Sequence, residues 1–207
     1  MEVRDIRAEP VSTREPLTVP MTHREALEVL AERRGSHIVI TVHGSVDEWV
    51  SLSNTALDFS YVPAAMGHGV PLGLGLALAQ NRHGVVLVSG DGSLLMNLGC
   101  LVTMASQAAN LYVIVIENGV YEVTGGQAFA GAGRIDLAGL ARAAGIRRVY
   151  FCKTIDQWRT IAAEALSGPG PVLIGLQVAA RPGQRAPIAA PPMQQQIDRL
   201  RRQLGLE

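Results

Sequence analysis

Much of what would mark a special class of protein is scarce in this sequence. Two cysteines, Cys100 and Cys152, stand in 207 residues. They are too few and too far apart for a metal-binding cluster, and they read as small apolar filler in a reducing compartment. Charge of one sign is also missing: 18 basic residues face 18 acidic ones. No basic field for nucleic acid or anionic lipid follows, and neither is expected as a partner. The most apolar stretch, Val70 to Ala79, is too short and too glycine-rich to cross a bilayer. Met1 to Pro20 mixes charges and prolines without the apolar core of a signal peptide. A soluble cytoplasmic protein is the expectation.

Glycine, in contrast, is abundant at 22 residues, many of them at the ends of predicted strands, where α/β proteins build ligand sites. Residues 1–20 read as an irregular arm punctuated by Pro10, Pro16 and Pro20. Thr22 and Glu25 form a capping box that opens a helix stopping before Gly35. His37–Val42 is a β-branched first strand, followed by a short helix over Val46–Leu52. Ala64–Ala79 carries Gly67, Gly69, Gly73 and Gly75, which let a helix pack closely on a sheet or a partner chain. Further strands are predicted at Gly84–Ser89, Leu111–Glu117, Arg147–Cys152 and Pro171–Val178. One crossover helix is expected between Ser93 and Asn110, with others over Ile135–Ala144 and from Thr154 or Asp156 to Gly168. Arg181–Pro192 reads as a proline-rich connector and Met193–Leu204 as a polar terminal helix. The alternation predicts one doubly wound α/β domain over residues 21–180, with a central parallel sheet and helices on both faces. Residues 181–207 form an appendage to it.

Two strand ends carry the chemistry. Gly90-Asp91-Gly92 follows one apolar run, and Asn118 ends the next. A carboxylate and an amide oxygen at the carboxyl ends of adjacent parallel strands suit a hard cation such as Mg²⁺. Glycines flanking the Asp let the backbone approach something bulky and anionic, and a diphosphate fits. The loop Gly119–Gly133 is too long for a simple connection and is expected to serve the site.

Strand, Gly-Asp-Gly, helix, strand and Asn, at this spacing, resemble the thiamine diphosphate signature. The likeness continues through Ala65–Gly69, Gly73–Ala79, Gly90–Gly99 and Asn118–Gln127. The chain resembles the diphosphate-binding domain of the thiamine-dependent decarboxylases, above all sulfopyruvate decarboxylase beta subunits and the matching half of phosphonopyruvate decarboxylases. The resemblance implies a thiamine diphosphate cofactor and Mg²⁺ held by Asp91, Asn118 and the Val120 carbonyl. Gly90, Gly92 and Ser93, with Thr124 and Val123 in the loop and Gly44 and Ser45 at the first strand end, would contact the cofactor. Met66 would be the apolar wedge beneath its rings, and the Ala64 carbonyl would accept from its amino group. His68 is the candidate to face an anionic substrate group, the alternative being a structural role at a helix start; His43 stands similarly.

In that family a glutamate from a separate pyrimidine-binding domain activates the cofactor. No room for that fold is expected in 207 residues. The resemblance therefore implies an active site between chains, in an α₂β₂ or larger heteromer with a pyrimidine-binding (alpha) subunit. The expected activity is decarboxylation of a small 2-oxo acid such as sulfopyruvate or phosphonopyruvate. The alternatives are a carboligase subunit like acetolactate synthase and a non-catalytic regulatory subunit that retains the fold. A nicotinamide-binding domain has little support, because Gly73-Leu74-Gly75 lacks a preceding strand. The sequence departs from the nearest relatives at His43-Gly44-Ser45, at Ala64-Ala65-Met66 and at Glu122-Val123.

Overall fold

A computed structural model describes residues 21–181 and 190–206. The predicted arm over 1–20 and most of the proline-rich connector lie outside the described residues. The order is α1 (His23–Arg33), β1 (Ile38–Val42), α2 (Ser45–Leu52), β2 (Asp58–Tyr61), α3 (Gly69–Ala79), β3 (Val85–Gly90), α4 (Asp91–Leu95), α5 (Gly99–Ala105) and β4 (Leu111–Glu117). A two-stranded hairpin of β5 (Val120–Tyr121) and β6 (Gln127–Ala128) follows. The chain continues with α6 (Leu137–Ala143), β7 (Arg148–Cys152), α7 (Ile155–Ser167), β8 (Val172–Gln177) and α8 (Met193–Leu204).

Six parallel strands form one sheet in the order β2-β1-β3-β4-β8-β7. Alternate residues of each strand bury against opposite layers, as the period of two requires. Ile38, Ile40, Leu87, Val113 and Leu173 meet α3, α5, α6 and α8 on one face. Val39, Val86, Val88, Ile114 and Ile174 meet α1 and α7 on the other. From β1 the chain steps to one side for β2 and then crosses back through α3 to place β3 on the other side of β1. The carboxyl ends of β1 and β3 therefore flank the switch point at which doubly wound sheets bind ligands.

The capping box at Thr22 forms as predicted, with Glu25 N–H donating to Thr22 Oγ1 at 3.2 Å and the Glu25 carboxylate accepting from Thr22 N–H at 2.8 Å. Thr154, not Asp156, caps α7.

Two elements differ from the sequence reading. The single crossover helix expected between Ser93 and Asn110 is broken into α4 and α5. Residues Met96 to Leu98 turn so that Asn97 Nδ2 donates to the Gly67 carbonyl at 3.1 Å. The edge strand β2 was not expected. Its Asp58 carboxylate accepts from Trp49 Nε1 at 3.0 Å, Ser53 Oγ at 2.7 Å and Thr55 N–H at 2.6 Å, and pairs with Arg34. Burial alone would raise the Asp58 pKa, but these donors and the Arg34 charge hold it below the usual carboxylate range. Among the described residues, no helix is long and apolar enough to cross a membrane.

Candidate active site

The register Gly90↔Ile116 brings the ends of β3 and β4 level, so Asp91 and Asn118 emerge beside one another. Asp91 is 3% exposed. Its Oδ1 accepts from the Gly92 N–H at 2.7 Å and its Oδ2 from the Gly119 N–H at 2.8 Å. Each oxygen retains a lone pair for a cation. Burial pushes the Asp91 pKa up against these donors. Among the described residues no basic side chain pairs with it. A buried carboxylate without a countercharge is what a bound dication would relieve.

The Asn118 Oδ1 accepts from the Val120 N–H at 3.1 Å, folding the loop so that β5 starts at the cleft. Among the described residues no three His, Cys, Asp or Glu gather into a metal set. A cation here would rely on carboxylate, amide and carbonyl oxygens, the hard donors that suit Mg²⁺.

A cleft opens above these strand ends. Of the predicted site residues, Gly44, Ser45, Ala64, Met66, Gly90, Asp91, Gly92, Ser93, Asn118, Val120, Val123 and Thr124 all line it. A Cβ on Gly90 would meet nothing within 4 Å, so open space adjoins the backbone there. A Cβ on Gly92 would lie 2.5 Å from the Tyr121 ring, which is therefore seated on that glycine. Ser93, buried, accepts from the Gly67 N–H at 3.1 Å and keeps its hydroxyl hydrogen to donate. The helix that Ser93 enters has only five residues, so the expected dipole of a long crossover helix shrinks to that of little more than one turn. The Thr124 hydroxyl is turned to Gln127 Oε1 at 2.9 Å.

The structure places His68 outside this ring: it is exposed, with Nδ1 3.1 Å from the Met66 carbonyl. His43 does line the cleft, at φ 51°, and burial lowers its pKa. Its Nε2 is buried with no partner among the described residues. The sequence reading missed His23, Tyr121 and Glu122. His23 bonds Ser45 and Arg181, which are 22 and 158 positions away, so no local pattern announces it.

Comparison with known proteins identifies the family of the domain that carries this cleft. The family described as thiamine pyrophosphate enzyme, C-terminal TPP binding domain, matches residues 43–176. A phosphonopyruvate decarboxylase of Streptomyces hygroscopicus is 38% identical over 181 residues, 86% of this chain and 44% of that protein. A sulfopyruvate decarboxylase subunit beta of Methanothermobacter thermautotrophicus is 40% identical over 124 residues, 59% of this chain and 62% of that subunit. The chain thus spans less than two thirds of either relative. Among solved structures, a thiamine diphosphate-dependent 4-hydroxybenzoylformate decarboxylase of Rhodococcus jostii RHA1 superimposes with TM-score 0.69 at 19% identity. The match covers 83% of this chain and 35% of that one, a likeness of fold.

Proposed function

The chain belongs to the thiamine pyrophosphate enzymes, as their C-terminal TPP-binding domain, and on that premise we propose that its cleft holds the diphosphate of thiamine diphosphate through Mg²⁺ in a 2-oxo acid decarboxylase. One observation carries the reading: Asp91, a buried carboxylate with no basic partner among the described residues, and Asn118 follow the ends of adjacent strands, and both line an open glycine-lined cleft. Asp91, Asn118 and the Val120 carbonyl would be the protein ligands of the cation. Ser93 would donate its hydroxyl to the diphosphate. Bound there, the cofactor supplies the carbon nucleophile and electron sink that a 2-oxo acid needs to lose CO₂. Met66 and Ala64 would support the rings, and the apolar Val42 and Ile116 wall off water.

The activating carboxylate is assigned to a partner. Glu122 is the glutamate that lines the cleft, yet its carboxylate accepts from the Arg181 N–H at 2.7 Å and pairs with the Arg181 guanidinium at 3.6 Å. It is committed. A pyrimidine-binding alpha subunit would supply the missing group, in an α₂β₂ or larger heteromer. That reading is supported by the beta-subunit relative. His68, exposed beside Met66, is assigned to the substrate end of such an interface. A 3-substituted pyruvate bearing an anionic group, sulfopyruvate or phosphonopyruvate, is the proposed substrate. The test is CO₂ release from either oxo acid by the chain combined with a pyrimidine-domain subunit. Release that needs both Mg²⁺ and thiamine diphosphate and is lost in Asp91→Ala supports the reading; release indifferent to all three contradicts it. Running the assay with an acceptor aldehyde separates decarboxylation from carboligation.

A further inference from the structure

His23, the first residue of α1, is 3% exposed at the wall of the cleft, and both its ring nitrogens are engaged. Nδ1 lies 2.8 Å from Arg181 Nη2, and Nε2 lies 3.0 Å from Ser45 Oγ. A guanidinium only donates, so Nδ1 is the bare nitrogen and accepts. The ring proton is therefore on Nε2 and is donated to Ser45 Oγ. Double protonation is excluded by the same contact. Burial, and then the Arg181 charge, lower the His23 pKa to about 3. With one lone pair of Ser45 Oγ taken by His23, the hydroxyl keeps its own hydrogen. No acceptor for that hydrogen is found among the described residues. Ser45 shares the cleft wall with Asp91, Ser93 and Thr124.

Arg181 is itself held in place. Its Nη1 pairs with Glu48 in α2, and its backbone N–H and Nη2 reach Glu122, two residues before Thr124. One guanidinium thus links α1, α2 and the cleft loop, and its two carboxylate partners keep it from acting as a ligand of the anion. We propose that His23 and Arg181 are positioning residues that turn the Ser45 hydroxyl into a fixed hydrogen-bond donor for a phosphate oxygen in the cleft. The proposal rests on the Mg²⁺–diphosphate reading of the site. With the His23 N–H on one lone pair, the Ser45 hydrogen is barred from that direction, so less rotational freedom is lost on binding, which is the source of its contribution.

The test uses the full chain and two readouts. Long-range ¹H–¹⁵N spectra of the wild-type imidazoles should show His23 as the neutral Nε2–H tautomer, with the bias lost in Arg181→Met. Titrations of inorganic pyrophosphate with Mg²⁺, followed by ³¹P spectra, should show His23→Asn binding about tenfold more weakly, the scale of one hydrogen bond to a charged group. Ser45→Ala should lose as much, and the double variant no more than Ser45→Ala alone. His23→Gln should bind nearly as wild type, because glutamine reaches Ser45 with an N–H and asparagine is too short. An Nδ1–H tautomer, or losses that multiply in the double variant, would overturn this proposal alone. Pyrophosphate binding unchanged by Asp91→Ala would overturn the Mg²⁺–diphosphate reading and the proposal with it.

Discussion

Asp91 Oδ2 accepts the Gly119 N–H at 2.8 Å, so the carboxylate that ends the β3 turn is tied to the residue after Asn118. Gly119 has φ +75°, a conformation that turns its N–H back toward β3 and that glycine adopts without strain. The bond sets the spacing of the two candidate metal ligands before any cation arrives. Preorganisation of this kind ties the start of the loop to the end of the sheet.

The same loop is positioned from below by Gly92. Gly92→Ala places a methyl group 2.5 Å from Tyr121, whose ring also packs on Phe129 at a centroid distance of 5.8 Å. The ring must move and carry the Val120 carbonyl and Thr124 with it. Thiamine diphosphate affinity measured by calorimetry with Mg²⁺ should fall at least tenfold. Overpacking should cost about 1–3 kcal/mol of stability. Tyr121→Ala in the same chain should recover part of the stability loss.

Glu117 gives the site a pH dependence of stability. Burial, then the negative charges of Asp91 and Asp136, raise its pKa from 4.5 to about 7. Between those values the native state binds more protons than the unfolded chain, so stability falls as pH rises through that window and levels off above about 7. Glu117→Gln removes the ionisation. In chelator, it should be more stable than wild type at pH 8 by on the order of 1–3 kcal/mol and no more stable at pH 4.5. Urea unfolding at the two pH values checks this; an equal difference at both would contradict the assignment.

The parallel sheet and the Asp91–Asn118 pair were legible because their signals are local: apolar runs that end in glycine, aspartate or asparagine. What was missed depends on residues remote in sequence. Asp58-Phe59-Ser60-Tyr61 alternates polar and aromatic residues over only four positions, too short a run to announce a strand, and is held by Arg34 and Trp49 on one side. On the other, Gln196 accepts from the Ser60 N–H at 2.7 Å and donates to its carbonyl at 3.1 Å, across 136 positions. The break after α4 likewise follows from Asn97 reaching Gly67, and the place of His23 in the cleft from Arg181. His68, the candidate to face an anionic substrate group or to serve the helix start, lies outside the cleft-lining ring because the chain turns away there to start α3.

The edge of the sheet offers a control that separates fold from site. Gln196→Leu leaves both Ser60 backbone groups buried and unpaired, which should cost about 1–3 kcal/mol in chemical denaturation. Affinity for Mg²⁺ and thiamine diphosphate should be unchanged, because β2 and α8 contribute no residue to the cleft wall. A matching loss of cofactor affinity would show that the site senses global stability.

The central claim is that Asp91 and Asn118 hold a cation that holds a diphosphate. Calorimetric titration of thiamine diphosphate into the chain, in Mg²⁺ and in excess chelator, with Asp91→Asn alongside, tests it most directly. Binding in Mg²⁺ that falls at least tenfold both in chelator and in the variant is the predicted result. Equal affinity with and without the metal, or in Asp91→Asn, would contradict the account.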